Sequence, residues 1–367
     1  SAAISVLDRV LAGEPAEKAL TNWGRASRYA GSGDRAAVRD LVYEALRRRS
    51  SSAARGGGPT GRGLVLGLAR ETGKEALFSG EGHAPVVPGP DEAGRMPTAE
   101  EALDLPAWLI PDLRASLGVD FEAVAEALRS RAPIFLRVNL GKTDPAGAMA
   151  ALSAEGIIAR PHGLAATALE VVENARKVQS SDAYSSGLVE LQDAASQAVD
   201  GMKVLDHCAG GGGKTLAMAA RARLKLFAHD AAPRRMADLP ERAKRAGVKV
   251  TLTDSPETVG PFDLVLVDAP CSGSGSWRRD PEGKWKIGPQ DLGRLTEMQF
   301  AILERAANLV RPEGWLAYAT CSLLSRENQG QVQRVLAEHP GWQLRSGRVL
   351  TPLQGGDGFF LALMQRS

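Results

Sequence analysis

The sequence predicts an α/β protein. Its main part is a mostly parallel sheet with helices on both faces, preceded by a small α+β unit and an all-helical segment. Three observations carry that expectation. From about Gly187, short apolar runs alternate with helical patterns, as strands buried on both faces do. A glycine-rich turn, Asp206–Thr215, follows one of those runs. Only 3 cysteines occur in 367 residues, all at expected strand ends, where open α/β sheets collect their ligands.

The elements follow in order. Between Asp34 and Arg49 the apolar residues Val38, Leu41, Val42, Ala45 and Leu46 lie on one helical face, with start signals at Ser32-Gly33-Asp34. Residues Ser50–Gly63, rich in Ser, Gly and Arg, read as a mobile connection. A short helix is expected over Leu64–Leu77 and a long loop over Ser79–Thr98. Helices resume at Pro111–Leu117 and Phe121–Arg131, the latter with Asp120 as N-cap. These make up a helical region over residues 1–131. Residues 132–186 form the small α+β unit, with strands at Ile134–Asn139, Ile157–Arg160 and Ala168–Val172 and a helix at Ala146–Ser153. Residues 187–367 form the main domain. Its strands are Lys203–His207, Lys225–Ala228, Lys249–Thr253, Leu264–Val267, Trp315–Thr320 and a closing Phe359–Met364. A helix is expected over Leu295–Val310, where seven apolar residues repeat at helical spacing.

Composition excludes some classes. An apolar fraction of 44% suffices for a sizeable core. Lys+Arg 45 against Asp+Glu 43 gives a net charge of +2, which favours no partner. The first 63 residues carry 11 basic against 6 acidic side chains, a hint of a polyanionic partner or simply a solvated helix face. No run approaches the ~20 apolar residues of a membrane span, and acidic and basic residues interrupt the N-terminus early. An odd cysteine count without a CxxC pair fits reduced thiols in the cytoplasm. No His/Cys cluster has metal-ligand spacing, and a monomer is expected.

The glycine turn excludes two nucleotide sites. A phosphate-cradling loop needs glycine five places before Gly213, where Cys208 stands. The dinucleotide fingerprint fails because Gly210-x-Gly212 runs to Thr215 and Gly211-x-Gly213 to Leu216. S-adenosylmethionine is one option that remains. It carries no phosphate and needs close backbone approach with a polar rim. Cys208, Ala209, Gly210, Gly211, Gly212, Gly213 and Lys214 supply the backbone. Asp230 and Asp254, at the ends of the next two strands, would meet the ribose hydroxyls and the adenine edge, or else serve as strand-end caps. Trp277 and Trp285, flanked by Arg278, Arg279, Lys284 and Lys286, would stack bases and hold phosphates, or else pack a loop.

These residues together resemble the RNA cytosine-C5 methyltransferase family, in its bacterial ribosomal RNA small-subunit methyltransferase B type. The matching stretches are Gln192–Gln197, Asp206–Thr215, Asp268–Gly275 with Arg278–Pro281, Tyr318–Ser322 with Glu327-Asn328, and Asp357–Phe360. Arg137-Val138-Asn139 resembles the small domain before the family's core. The basic segment with Gly31–Arg35 resembles a NusB-like RNA-binding domain. The resemblance covers nearly the whole chain and is strongest over Gln192–Ser325. One departure stands out: the family loop usually reads Cys-Ala-Ala-Pro-Gly-Gly-Lys-Thr, and here its third and fourth places are Gly210 and Gly211. Each extra glycine raises the cost of ordering the turn by ~0.5–1 kcal/mol, implying weaker cofactor binding.

The resemblance implies a Rossmann-like, S-adenosylmethionine-dependent fold acting on RNA, most of all 16S ribosomal RNA. It implies Cys321 as the nucleophile, Cys271 as the thiol assisting product release, Asp268 on the cytosine edge and beside the cofactor, and Lys214 reaching into the active site. Arg35, Arg278, Arg279 and Lys284 would contact RNA. Two alternatives stay open: the same reaction on transfer RNA or DNA, and a non-catalytic RNA-binding assembly factor with a decayed cofactor loop.

Overall fold

Strands buried on both faces have no polar side to show, and the centre of the main sheet is built from such strands. In β8 (Phe262–Asp268) Leu264 and Leu266 face one way and Val265 and Val267 the other, and all four are buried. In β9 (Val310–Thr320) Leu316 and Tyr318 pack with the second pair, while Ala317 and Ala319 pack with the first. The computed structural model describes residues 1–163, 166–191, 202–220 and 224–367. The Gln192–Gln197 motif lies outside the described residues.

The chain divides into two units. One comprises Ser1–Arg131 with Trp277–Ile287, the other Ala132–Ser276 with Gly288–Ser367. The second unit holds two sheets. A four-stranded antiparallel sheet has the order β2 (Ile158–Pro161), β3 (Ala168–Glu173), β1 (Ile134–Val138), β4 (Val189–Leu191). The short β4 pairs with β1, so the small sheet runs on to Leu191. The main sheet has the order β10 (Trp342–Leu350), β11 (Phe359–Arg366), β9, β8, β5 (Lys203–Asp206), β6 (Lys225–Ala228), β7 (Val250–Leu252). From β9 to β7 all pairings are parallel; β11 and β10 add antiparallel at one edge. The chain moves outward from β5 through β6 to β7, then returns to β8 on the other side of β5. That reversal is a topological switch point, and ligands bind outside the carboxyl ends of its strands.

The expected α/β architecture is therefore present, with differences at its polar margins. Strand β10 reads as polar in sequence and is mostly exposed, because a sheet edge needs no apolar face. The helix expected over Leu295–Val310 begins earlier, at Pro289, and ends at Asn308.

The helical unit corrects one expectation. Ser50–Gly63 is not a mobile connection: Arg49–Arg55 is helical, and the next helix starts at Gly61. Ser51 donates its N–H and its hydroxyl to the buried Asp104 carboxylate at 2.9 and 2.8 Å. A partner 53 residues away satisfies a stretch that composition reads as loop. Asp120 makes no cap hydrogen bond, because a tight turn over Gly118–Asp120 has already given it helical dihedrals (φ −84°, ψ −7°). The core of this unit comes from Val6, Leu7, Val10, Leu20, Val42, Leu46, Leu64 and Leu68.

Candidate active site

Three strand ends converge on one cleft of about 470 Å³. From the end of β5 come Cys208, Ala209, Gly210, Gly211, Gly213 and Lys214; from β8 come Asp268 and Cys271; from β9 comes Cys321. Register explains the meeting. Asp268 lies opposite Ala319, so the loops after β8 and β9 leave the sheet side by side. Ala269 donates to the Ala319 carbonyl and Gly275 to that of Cys321, at 3.0 and 2.9 Å. The backbones approach so closely that a Cβ on Gly275 would sit 2.2 Å from the Gly358 carbonyl oxygen.

Among the cleft-wall side chains that the sequence reading did not assign to the site are Arg235, Arg242 and Phe359. Arg235 and Arg242 follow β6 on a turn and a helix, and Phe359 opens β11. The arginines carry no spacing signal; only the return of the chain beside the glycine loop brings them there. At Gly210, which has φ +49°, a Cβ would approach the Arg235 guanidinium at 3.6 Å. At Gly211 a Cβ would come within 3.1 Å of Arg242 Nη1, which donates to the Gly211 carbonyl. Of the two departures from the family loop, Gly211 leaves room for Arg242, which braces the loop, whereas a Cβ on Gly210 would make ordinary contact with Arg235.

Asp230 is buried and does not line the cleft. Its carboxylate accepts from Gly210 N–H at 3.0 Å and Ala232 N–H at 2.9 Å, and pairs with Arg235 at 3.3 Å. It holds the loop from behind. Asp254 is exposed and also lies outside the cleft lining, as does Gly212.

The ionisable groups are unlike one another. Lys214 Nζ meets Asp268 Oδ2 at 2.7 Å and lies 5.1 Å from the Phe359 ring centre. Burial alone would lower the Lys214 ammonium, but the facing Asp268 carboxylate raises it on balance. The Cys208 thiol is pushed up to about 12 by burial and the surrounding carboxylates, so it is inert. The Cys271 and Cys321 sulfurs lie 3.4 Å apart as free thiols. Cys321 is held below the ordinary thiol range, first by its hydrogen bond from Cys271, then by Lys214 and the Ser276 hydroxyl, against burial and Asp268. Cys271 is pushed up by that same sulfur contact, by burial and by Glu327. The asymmetry has a source in the positions of Lys214 and Glu327, which shift the Cys321 thiol down and the Cys271 thiol up.

Two of the residues expected on RNA need correction. Lys284 is fully buried and donates to the carbonyls of Arg47, at 3.0 Å, and Asp104. Burial lowers its ammonium to about 7. Arg278 is 5% exposed. Neither presents charge to a phosphate. Trp277 is buried and Trp285 donates its Nε1–H to the Leu46 carbonyl at 3.0 Å, so both pack the loop into the helical unit. Arg279 and Arg35 are exposed, and Arg35 also donates to the Ala30 carbonyl at 3.1 Å. Among the described residues no group of three or more His, Cys, Asp or Glu side chains could hold a metal ion, and no helix is long and apolar enough to cross a membrane.

Comparison with known proteins gives a consistent picture. Residues 194–364 match the family of 16S rRNA methyltransferase RsmB/F, and residues 105–179 match the ferredoxin-like domain of RsmF/B-like methyltransferases. Ribosomal RNA small subunit methyltransferase B of Xylella fastidiosa (strain Temecula1) is 35% identical over 295 residues, covering 73% of this chain and 68% of the relative. The protein of the same name from Citrobacter koseri is 32% identical over 288 residues, covering 72% and 67%. The crystal structure of PH0851 superposes with a TM-score of 0.76 at 21% identity, over 100% of this chain and 98% of that one.

Proposed function

The chain belongs to the RsmB/F family of 16S rRNA methyltransferases, and on that premise we propose that it methylates carbon 5 of a cytosine in 16S ribosomal RNA through a covalent Cys321 adduct. The observation that carries this reading is the contact of two free thiols, 3.4 Å apart, on the wall of the glycine-loop cleft.

S-adenosylmethionine, on which the enzyme depends, supplies an electrophilic methyl group on a sulfonium. The cleft fits it: about 470 Å³ is within the range of small-molecule sites. Gly210, Gly211 and Gly213 offer backbone without side chains there, and Lys214 and Asp268 supply a polar rim. Arg235 and Arg242 join the residues that would hold it.

Carbon 5 of cytosine is a poor nucleophile. Addition of the Cys321 thiolate to carbon 6 forms a carbon–sulfur bond and pushes electron density to carbon 5, splitting one hard step into two easier ones. Asp268, accepting from the cytosine edge, orients the base; Lys214 holds Asp268 at 2.7 Å and favours the thiolate form of Cys321. After methyl transfer, the carbon-5 proton passes to water, its bonding electrons re-form the carbon-5–carbon-6 double bond, and the Cys321–carbon-6 bond breaks to return the thiolate. Cys271, in contact with the departing sulfur, assists that release. The base must leave its stack to reach Cys321.

The helical unit, with its basic excess and exposed Arg35 and Arg279, is inferred to be the NusB-like domain that anchors neighbouring RNA by phosphate contacts. A monomer acting in the cytoplasm completes the reading. The DNA-type alternative uses the proline-cysteine thiol as nucleophile, and the raised Cys271 speaks against it. The braced glycine loop speaks against a decayed cofactor site.

Bisulfite sequencing of ribosomal RNA with and without the enzyme tests the reaction: one protected cytosine is expected in 16S RNA, and none would refute it. Cys321→Ala abolishes turnover. Cys271→Ala transfers the methyl group but accumulates a covalent RNA adduct, seen as a thiol-dependent shifted band on a denaturing gel.

A further inference from the structure

Glu327 lies just beyond β9, in a short turn over Ser325–Glu327, and is fully buried. Its Oε1 accepts from Ser272 N–H at 2.8 Å and from the Gln299 amide at 3.0 Å. Its Oε2 accepts from the Ser272 and Ser322 hydroxyls, each at 2.5 Å. Ser272 follows Cys271, and Ser322 follows Cys321. One carboxylate therefore grips the residue next to each thiol, across 50 residues of sequence and two different strand ends. The grip is itself anchored. Tyr318 Oη donates to the Glu327 carbonyl at 2.7 Å, Asn328 donates to the Ser322 carbonyl at 2.9 Å, and Ser274 and Ser322 hydroxyls lie 3.1 Å apart.

A buried carboxylate is costly unless its hydrogen bonds are all made, and a neutral side chain would pack the same space at lower cost. The charge therefore has a use here. We propose that Glu327 is the positioning residue of the cysteine pair, clamping the loops after β8 and β9 so that Cys271 and Cys321 stay in contact while only one of them becomes the thiolate. The clamp rests on the two-thiol reading of the site above. The charged groups facing the pair are unevenly distributed. Lys214 and Asp268 act on Cys321, and Glu327 acts on Cys271. The negative charge of Glu327 opposes a second negative charge on Cys271, so Cys271 keeps its proton and donates to Cys321.

The test is alkylation of the purified full chain with iodoacetamide from pH 6 to pH 9, with peptide mass mapping of each cysteine and neither RNA nor cofactor present. The wild type reacts first at Cys321. Glu327→Gln keeps the shape and removes the charge. It lowers the preference for Cys321 over Cys271 by about tenfold, one pKa unit of relative shift, and moves the Cys271 profile to lower pH. An unchanged preference in a variant that melts like the wild type overturns the proposal, as does equal reactivity of the two thiols in the wild type. A second variant serves if Glu327→Gln does not fold. Ser272→Ala with Ser322→Ala removes the hydroxyl ties but keeps the charge. It leaves the Cys271 profile in place and lowers kcat for RNA methylation about tenfold with KM for RNA unchanged; wild-type kcat overturns the clamp. A wild type that alkylates selectively yet never methylates RNA would sink the methyl-transfer reading and leave the clamp standing.

Discussion

Cys321 owes its reactivity to its neighbours. A free cysteine with a pKa near ~8.5 is mostly thiol at neutral pH, and Cys321 is shifted below that range by a donor thiol, Lys214 and Ser276. Lys214→Met removes the only one of these that carries charge. Cys321 alkylation at pH 7 is then expected to slow about threefold to tenfold, with its profile moved to higher pH; an unchanged rate would show that the ammonium does not act on the sulfur. At this scale residue types and spacing located the groups, and only the family resemblance implied their roles. Scarce cysteines at strand ends mark a site, yet whether such a cysteine is a reactive thiolate or an inert filler depends on charges brought in from elsewhere. Cys208 stands at a strand end as Cys271 and Cys321 do, and burial among carboxylates silences it.

The glycine loop shows what an element gains from its surroundings. Read alone, Gly210 and Gly211 cost order and imply weak cofactor binding. In the fold, Asp230 takes the Gly210 N–H and Arg242 the Gly211 carbonyl, so the loop is restrained from both sides. Arg242 also pairs with Glu190 at 3.5 Å, which ties the small sheet's β4 to the same brace. Arg242→Ala is expected to weaken S-adenosylmethionine binding by about threefold to tenfold in calorimetry, the loss of roughly 1 kcal/mol from one partly exposed charged hydrogen bond. Unaltered affinity would mean that the loop orders itself. The succession of strands and helices was open to sequence reasoning because alternating apolar runs mark it; the strand order and its switch point came only with the fold. So did the brace, since nothing in the spacing of Arg235 and Arg242 refers to a turn more than twenty residues away.

Across the whole molecule, the division into units is not a division of the sequence into consecutive blocks. Trp277–Ile287 interrupts the catalytic unit in sequence and belongs to the helical one. Lys284 is its anchor: an ammonium inside the protein, lowered to about 7 by burial. The unfolded chain keeps that proton up to the ordinary lysine range, near ~10.4. The folded chain releases it from about 7. The unfolded state thus binds more protons in that window, and stability contributed by this group rises with pH from about 7 toward ~10. Denaturation curves followed by tryptophan fluorescence should show this rise in the wild type and a flatter response in Lys284→Met. Equal slopes would place the proton elsewhere.

Sequence by itself determined the α/β class, the succession of apolar strands, the three loops that carry the thiols and glycines, and the family. Each of these follows from local periodicity or from residue types held at short spacing. Only the tertiary structure decided which charges face each thiol, how the glycine loop is braced, and that Lys284 and Arg278 are buried. Charge, burial and hydrogen bonding act through space over a few ångströms, and the partners involved are separated by tens to hundreds of residues along the chain.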